Sequence, residues 1–239
     1  GALSPFAHHA RLARNPHVDL LRGLSVFVVM LAHFEATCGP FTGAAIFTPG
    51  LLAGLAGGSY YGVVVFFVIS GYLITTTSLR RYGELGRMRV AEFLSFRLSR
   101  IGPPLLLLVT LNLSCLAAGA AGFAMARGIT VPELLLNVFA LRFNALYVAG
   151  GMRLAAWALL WSLTIEEVFY LAFPLVCRVL RRTAWIAALL ATVVLAGPWY
   201  RATVGWSSLY LFGGCSGHLA LGCATALLAH RLRAAEWAP

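Results

Sequence analysis

Arg22 and His33 stand eleven residues apart on the stretch LLRGLSVFVVMLAHF (20–34), and nothing between them carries a charge. On an α-helix eleven residues make three turns plus ~20°, so guanidinium and imidazole lie on nearly one face, ~16 Å apart along the axis. Glu166 sits in a second apolar run, twelve residues before Arg178, or ~18 Å from that end. Ser70, in ISGY, lies ten residues before Arg80, ~15 Å in, and His218 lies thirteen before Arg231, ~20 Å in. Counted from these arginines, separate helices bring an imidazole, a carboxylate and a hydroxyl to about the same height. An ionisable group at such depth costs about 2.5–3.5 kcal/mol on insertion scales and must meet a partner or water. His33 and Glu166 therefore read either as a functional site or as a pair that knits helices together. His218, among small residues, and Ser70, beside Gly71, read as packing contacts. Arg97 and Arg100, in RLSR, share a helical face through their i,i+3 spacing. They serve either as a topology anchor or as a fork for phosphate oxygens.

The elements that must position these groups are helices in lipid. Of 239 residues, 60% are hydrophobic and only 11% charged, with mean hydropathy +0.84, far from the balance of a soluble domain. The apolar residues gather into windows long enough to cross a hydrocarbon core of roughly 30 Å. The expected fold is all-α: a polytopic transmembrane helix bundle with spans near 20–38, 60–79, 101–121, 157–177, 184–200 and 209–229. With the N-terminus cytoplasmic, all but four of the 18 basic residues, every one an arginine, fall on the cytoplasmic face. The exceptions are Arg127, Arg142, Arg153 and Arg201, an asymmetry the positive-inside rule favours. A full crossing at 132–149 would spoil it, so that apolar stretch is expected to be re-entrant or interfacial. Residues 80–98 have amphipathic spacing and are expected to lie along the membrane surface. The net charge of +10 then reports topology, and no nucleic-acid partner is expected. Five cysteines without metal-ligand spacing read as small buried hydrophobes, with no metal site. The first apolar run begins at Gly23 with no small-residue cleavage site after it, so no cleavable leader is expected. Residues 1–239 read as a single membrane-embedded domain.

Four motifs in order over residues 18–175 carry a resemblance. They are arginine, ten residues, histidine (Arg22 to His33); VVVFFVISGYLI; FRLSRIGPP; and LLWSLTIEEVFYLAFP. Together they resemble the acyltransferase 3 family of bacterial integral-membrane O-acyltransferases. The resemblance implies transfer of an acyl group, usually acetyl, from an acyl-CoA donor to a hydroxyl on a cell-envelope carbohydrate or a secondary metabolite, at the bacterial plasma membrane. Acyl-CoA is then a substrate, and no permanently bound cofactor is implied. Arg22 and His33 match the family's essential arginine and histidine, Arg97 and Arg100 its paired arginines, and Glu166, with Ser162 and Leu163, its serine-leucine-two-residues-glutamate motif. Val168 departs from a common glutamine. The family's helix count exceeds the six spans read here, so the chain is expected to lack C-terminal helices. On this reading the donor enters from the cytoplasm with its phosphates near Arg97, Arg100 and Arg22. His33 acts as general base toward the acceptor hydroxyl, Glu166 holding its tautomer, or as a transient acyl carrier. Other classes of reading are a transporter or flippase, whose helices also bury ionisable groups, and a non-catalytic membrane scaffold.

Overall fold

The computed structural model describes residues 15–38, 49–120, 123–125, 128–150 and 155–236. Arg11, Arg14, Arg127 and Arg153, which enter the arginine asymmetry, lie outside them. The described chain is helical throughout: α1 (Pro16–Cys38), α2 (Pro49–Tyr82), α3 (Val90–Ala117), α4 (Val131–Phe139), α5 (Phe143–Ala149), α6 (Leu159–Leu180), α7 (Thr183–Val204) and α8 (Phe212–Glu236). Short 3₁₀ turns at Leu85–Arg87, Ala155–Trp157 and Trp206–Tyr210 join them.

Four helical segments among the described residues are long and apolar enough to cross a membrane: Gly58–Tyr82, Val90–Ala117, Thr183–Val204 and Phe212–Arg233. The expected count of six is therefore not reached by that measure. In α6 the adjacent Glu166 and Glu167 interrupt the apolar run, and its length is spent on protein contacts. Leu160, Trp161, Ile165, Phe169, Phe173 and Cys177 are all buried, which makes α6 a core helix. By contrast only 11% of the apolar window of α3 and 17% of that of α7 are buried, against 50% for α2 and α8. The outer helices thus keep apolar side chains free to face lipid, while α2, α6 and α8 form the centre.

Glycine sets the distance between α2 and α8. A Cβ added at Gly71 would run into the Leu219 carbonyl, and one at Gly222 into the Val68 carbonyl. Backbone thus meets backbone from both sides, the small-residue packing by which helices associate in lipid. The Cys223 thiol donates to the Gly71 carbonyl across the same seam, at 3.4 Å.

Two expectations are corrected. Residues 80–98 are not one surface helix: α2 continues to Tyr82, a turn follows, and α3 begins at Val90. That turn is buried through Leu85, Gly86 and Met88, and Gly86 lies so close to the Arg181 carbonyl that any side chain would collide with it. The turn is pinned under the α6–α7 corner. Nor does the span expected from about 101 begin there: it continues a helix that starts at Val90, with Pro103 and Pro104 both inside α3. Their missing N–H groups leave the carbonyls of Ser99 and Arg100 without helical donors. The apolar stretch 132–149 resolves into α4 and α5, nine and seven residues long, or about 14 and 10 Å, too short to cross. Thr130 starts α4 by accepting from the Glu133 N–H, and Leu141, at φ 58°, breaks the chain between the two.

The α2–α8 seam makes a prediction. Gly222→Leu should destabilise the bundle by about 1–3 kcal/mol or more, read as a lowered melting temperature in detergent. Gly58→Ala, at a position with nothing within 4 Å of the new Cβ, should hold or raise it.

Candidate active site

A cavity of about 810 Å³ opens at the end of the bundle where α1 starts, α2 ends, α3 starts and α8 ends. Along α2 its wall runs from Phe66 to Tyr82, sixteen residues or ~24 Å of helix. Among the described residues six arginines line it: Arg22 from α1, Arg80 and Arg81 from α2, Arg97 and Arg100 from α3, and Arg233 from α8. Among the described residues only two acidic ones, Asp19 and Glu166, share the wall. Among the described residues Arg81 alone of the six has a carboxylate within ion-pair distance, Glu92. The wall is therefore a surplus of positive charge beside a low-dielectric body, where a multiply charged anion is attracted most strongly.

Glu166 stands near the inner end, 6% exposed. Tyr170, one helical turn on, donates its hydroxyl to Glu166 Oε2 at 3.0 Å. The i,i+4 spacing puts both on the face that α6 turns to the cavity, while Ile165 and Phe169, about 100° round the helix, are buried beside it. The Arg97 guanidinium lies over the Tyr170 ring at 4.8 Å and the Phe93 ring at 5.4 Å, cation–π contacts that hold it without neutralising it. From α2, the Ser70 hydroxyl faces both the carboxyl and the phenol. Glu166 Oε1 has no hydrogen-bond partner among the described residues, so the carboxylate keeps one acceptor oxygen unmet. One turn deeper, Phe66, Leu108 and Leu163 from three helices complete the wall with apolar side chains.

Of the residues singled out by sequence, Arg22, Arg97, Arg100 and Glu166 lie on this wall, and His33 does not. The register of α1 against α2 explains why. A Cβ on Gly62 would sit 3.1 Å from Val29 Cγ2 and 3.2 Å from the Ser25 carbonyl, so Gly62 is level with about residue 27. The two helices run antiparallel, and eight residues from Gly62 to Ser70 lead back toward Asp19 and Arg22. His33 lies six residues the other way, ~21 Å from Ser70 along the axis. The depth estimate took Arg22 as the water-facing end of its helix. In the structure α1 starts at Pro16 and Arg22 is already inside, roughly one turn inward of the level of Ser70. The carboxylate accordingly meets Tyr170, Ser70 and Arg97 rather than the imidazole, and holding the tautomer of His33 is not a role this geometry gives it.

His33 is half-buried on the part of α1 beyond the cavity, and α1 also meets the Ala155–Trp157 turn. Trp157 there is wholly buried with Nε1 unpartnered among the described residues. Asn112 ties α3 to that turn by donating to the Ala156 carbonyl at 3.1 Å. Ser70, expected as a packing contact, faces the cavity; its neighbour Gly71 makes the packing contact. His218 lies off the cavity near Arg201. Tyr170 escaped the sequence reading, although its i+4 offset from a buried glutamate was the signal that could have found it.

Residues 15–238 match the sequence profile described as "Acyltransferase domain", that of acyltransferase 3. The chain belongs to the acyltransferase 3 family. It is 30% identical over 174 residues to "O-acetyltransferase OatA" of Staphylococcus aureus strain NCTC 8325 / PS 47, covering 67% of this chain and 24% of that protein. It is 27% identical over 180 residues to "Putative O-acetyltransferase SAS0844" of S. aureus strain MSSA476, covering 72% of this chain and 26% of that one. The chain thus spans about a quarter of the length of these curated relatives. No solved structure matches it.

Tyr170→Phe removes the one hydrogen bond that Glu166 receives from its own helix. It should lower the unfolding free energy by about 1–3 kcal/mol, the cost of leaving a buried polar group unmet, measured by equilibrium denaturation in mixed micelles. Tyr200→Phe, away from the cavity wall, serves as the comparison and should leave it within ±0.5 kcal/mol.

Proposed function

We propose that this chain binds an acyl-CoA donor in the arginine-lined cavity and transfers its acyl group, acetyl in the first instance, to a hydroxyl of a carbohydrate or secondary metabolite. The observation that carries the reading is the cavity itself. Six arginines face two acids around an opening ~24 Å long, in a chain of the acyltransferase 3 family whose relatives are named O-acetyltransferases. Two-phosphate groups with several acceptor oxygens are what convergent guanidiniums recognise.

Arg22, Arg97 and Arg100 are the pyrophosphate ligands on this reading. Glu166 is a positioning residue: it fixes Tyr170, whose ring supports Arg97. The acyl end of the donor then points inward. His33 lies ~16 Å beyond Arg22 along α1, a span the pantetheine arm covers when extended. At about the level of Arg22, Phe66, Leu108 and Leu163 put an apolar collar on the same wall, which an uncharged thioester passes at small cost and a phosphate does not. Beyond the collar His33 serves as base for the acceptor hydroxyl or as carrier of the acyl group. The arginine-rich end is cytoplasmic by the positive-inside rule, which places the N-terminus there and the donor on the side where coenzyme A is made. The membrane is the bacterial plasma membrane, and the acceptor is an envelope glycan or small hydroxylated metabolite.

His33→Ala should abolish the acyl increment on the acceptor in mass spectra of envelope glycans and metabolites while leaving membrane insertion intact; undiminished product removes His33 from the reaction. Arg97→Ala should raise the donor concentration needed for half-maximal transfer by roughly tenfold or more, the size of a lost charge-assisted contact. An unchanged donor dependence would reduce Arg97 to a topology anchor.

A further inference from the structure

The donor-binding reading uses three of the six arginines and leaves Arg80, Arg81 and Arg233 without a task. They line the mouth of the cavity, and Arg80 stands ten residues, or ~15 Å, from Ser70 along α2. Arg81 is also held in place: it pairs with Glu92, and its guanidinium lies over the Phe96 ring at 4.2 Å and the Tyr82 ring at 5.9 Å. Phe96 and Tyr82 are both on the cavity wall, and Phe96 is 47% exposed. An arginine needed only to mark the cytoplasmic face gains nothing from an ion pair and two aromatic supports; one that must present its charge in a fixed pose does.

We infer that the mouth is a second anionic subsite, for the adenosine 3′-phosphate end of the coenzyme A donor, formed by Arg80, Arg81 and Arg233 beside Phe96 and Tyr82. The inference rests on the donor reading above. Coenzyme A carries two separate anionic centres, the 5′-pyrophosphate and the 3′-phosphate, on one ribose that also bears the adenine. The cavity offers partners for all three parts: the inner guanidiniums for the pyrophosphate, two aromatic rings on which the base can stack, and the guanidiniums of the mouth for the 3′-phosphate. Arg233 comes from the last turn of α8, so a bound nucleotide also ties that helix to α2 and α3.

The test is calorimetric titration of the full chain, in phosphatidylcholine nanodiscs so that no anionic headgroup competes, with coenzyme A and with dephospho-coenzyme A. Wild-type protein should bind coenzyme A tighter by about tenfold or more, as expected when one or two charge-assisted hydrogen bonds are gained. Arg80→Ala and Arg233→Ala should drive that ratio toward one, whereas Arg97→Ala should weaken both ligands alike. Equal wild-type affinity for the two ligands would overturn the subsite and leave the donor reading standing. A wild-type preference that survives Arg80→Ala combined with Arg233→Ala would overturn the assignment to these residues. Binding of neither ligand would overturn the donor reading, and this inference with it. Gel filtration of each variant separates lost recognition from lost folding.

Discussion

A carboxylate enclosed in an apolar bundle must find its compensation locally, and Glu166 imposes that requirement on everything around the cavity. Water cannot supply it at 6% exposure, so α6 brings Tyr170 one turn away, α2 brings Ser70 and α3 brings Arg97. Each of these comes from a different helix or turn, and each is fixed by the same need. A buried charge of this kind contributes little net stability, because its desolvation offsets most of what its partners return. What it marks is the place where three helices meet, α6, α2 and α3 each bringing one group to it. The surplus of arginines is then not merely tolerated. With one central negative charge accounted for, the remaining guanidiniums converge on empty space that suits a polyanion.

That meeting place depends in turn on backbone contact between α2 and α8. Hydrophobic burial gives helices in lipid little reason to associate, since lipid tails are as apolar as leucine, and close van der Waals approach has to do it instead. Gly71 and Gly222 permit the approach from opposite sides. The consequence reaches the cavity directly, because Ser70 is the residue before Gly71: when Gly71 turns its bare α-carbon to α8, the next position round the helix turns to Glu166. Packing and site are thus adjacent residues of one strip of helix, ISGY.

Much of this was legible in the sequence where the signal is local. Apolar windows gave the helices, the failure of 132–149 to cross followed from arginine asymmetry, and the motif residues Arg22, Arg97, Arg100 and Glu166 came together on one wall. Legibility ended where tertiary contact decides. Pro103 and Pro104 suggest a helix start, yet Phe93, Leu105 and Val109 are buried along one continuous α3, and that packing outweighs two lost backbone donors. The relative depth of His33 needed a zero for the scale, and an arginine is an unreliable zero, because its long side chain can serve a cavity inside the bundle as well as the interface. Only the Gly62 contact with α1 set the register, and nothing in the apolar pattern of 20–34 could have announced it.

The separation of the arginine cavity from His33 has a chemical logic on the proposed reading. Acyl transfer to a hydroxyl competes with hydrolysis of the thioester, so a reacting centre joined to the cytosol by an open polar channel would waste donor. Phe66, Leu108 and Leu163 make part of the cavity wall apolar. They discriminate by charge rather than size: moving a phosphate past them forfeits its hydration, whereas the thioester and its amide-bearing arm lose far less. Water gains no hydrogen-bond partners from three apolar side chains and is disfavoured there as well. A donor whose phosphates are gripped below the collar and whose neutral arm lies through it would plug the very path that water needs. Occupancy by the substrate would then keep the reacting centre dry, and an empty cavity, with nothing to hydrolyse, would have no need of it.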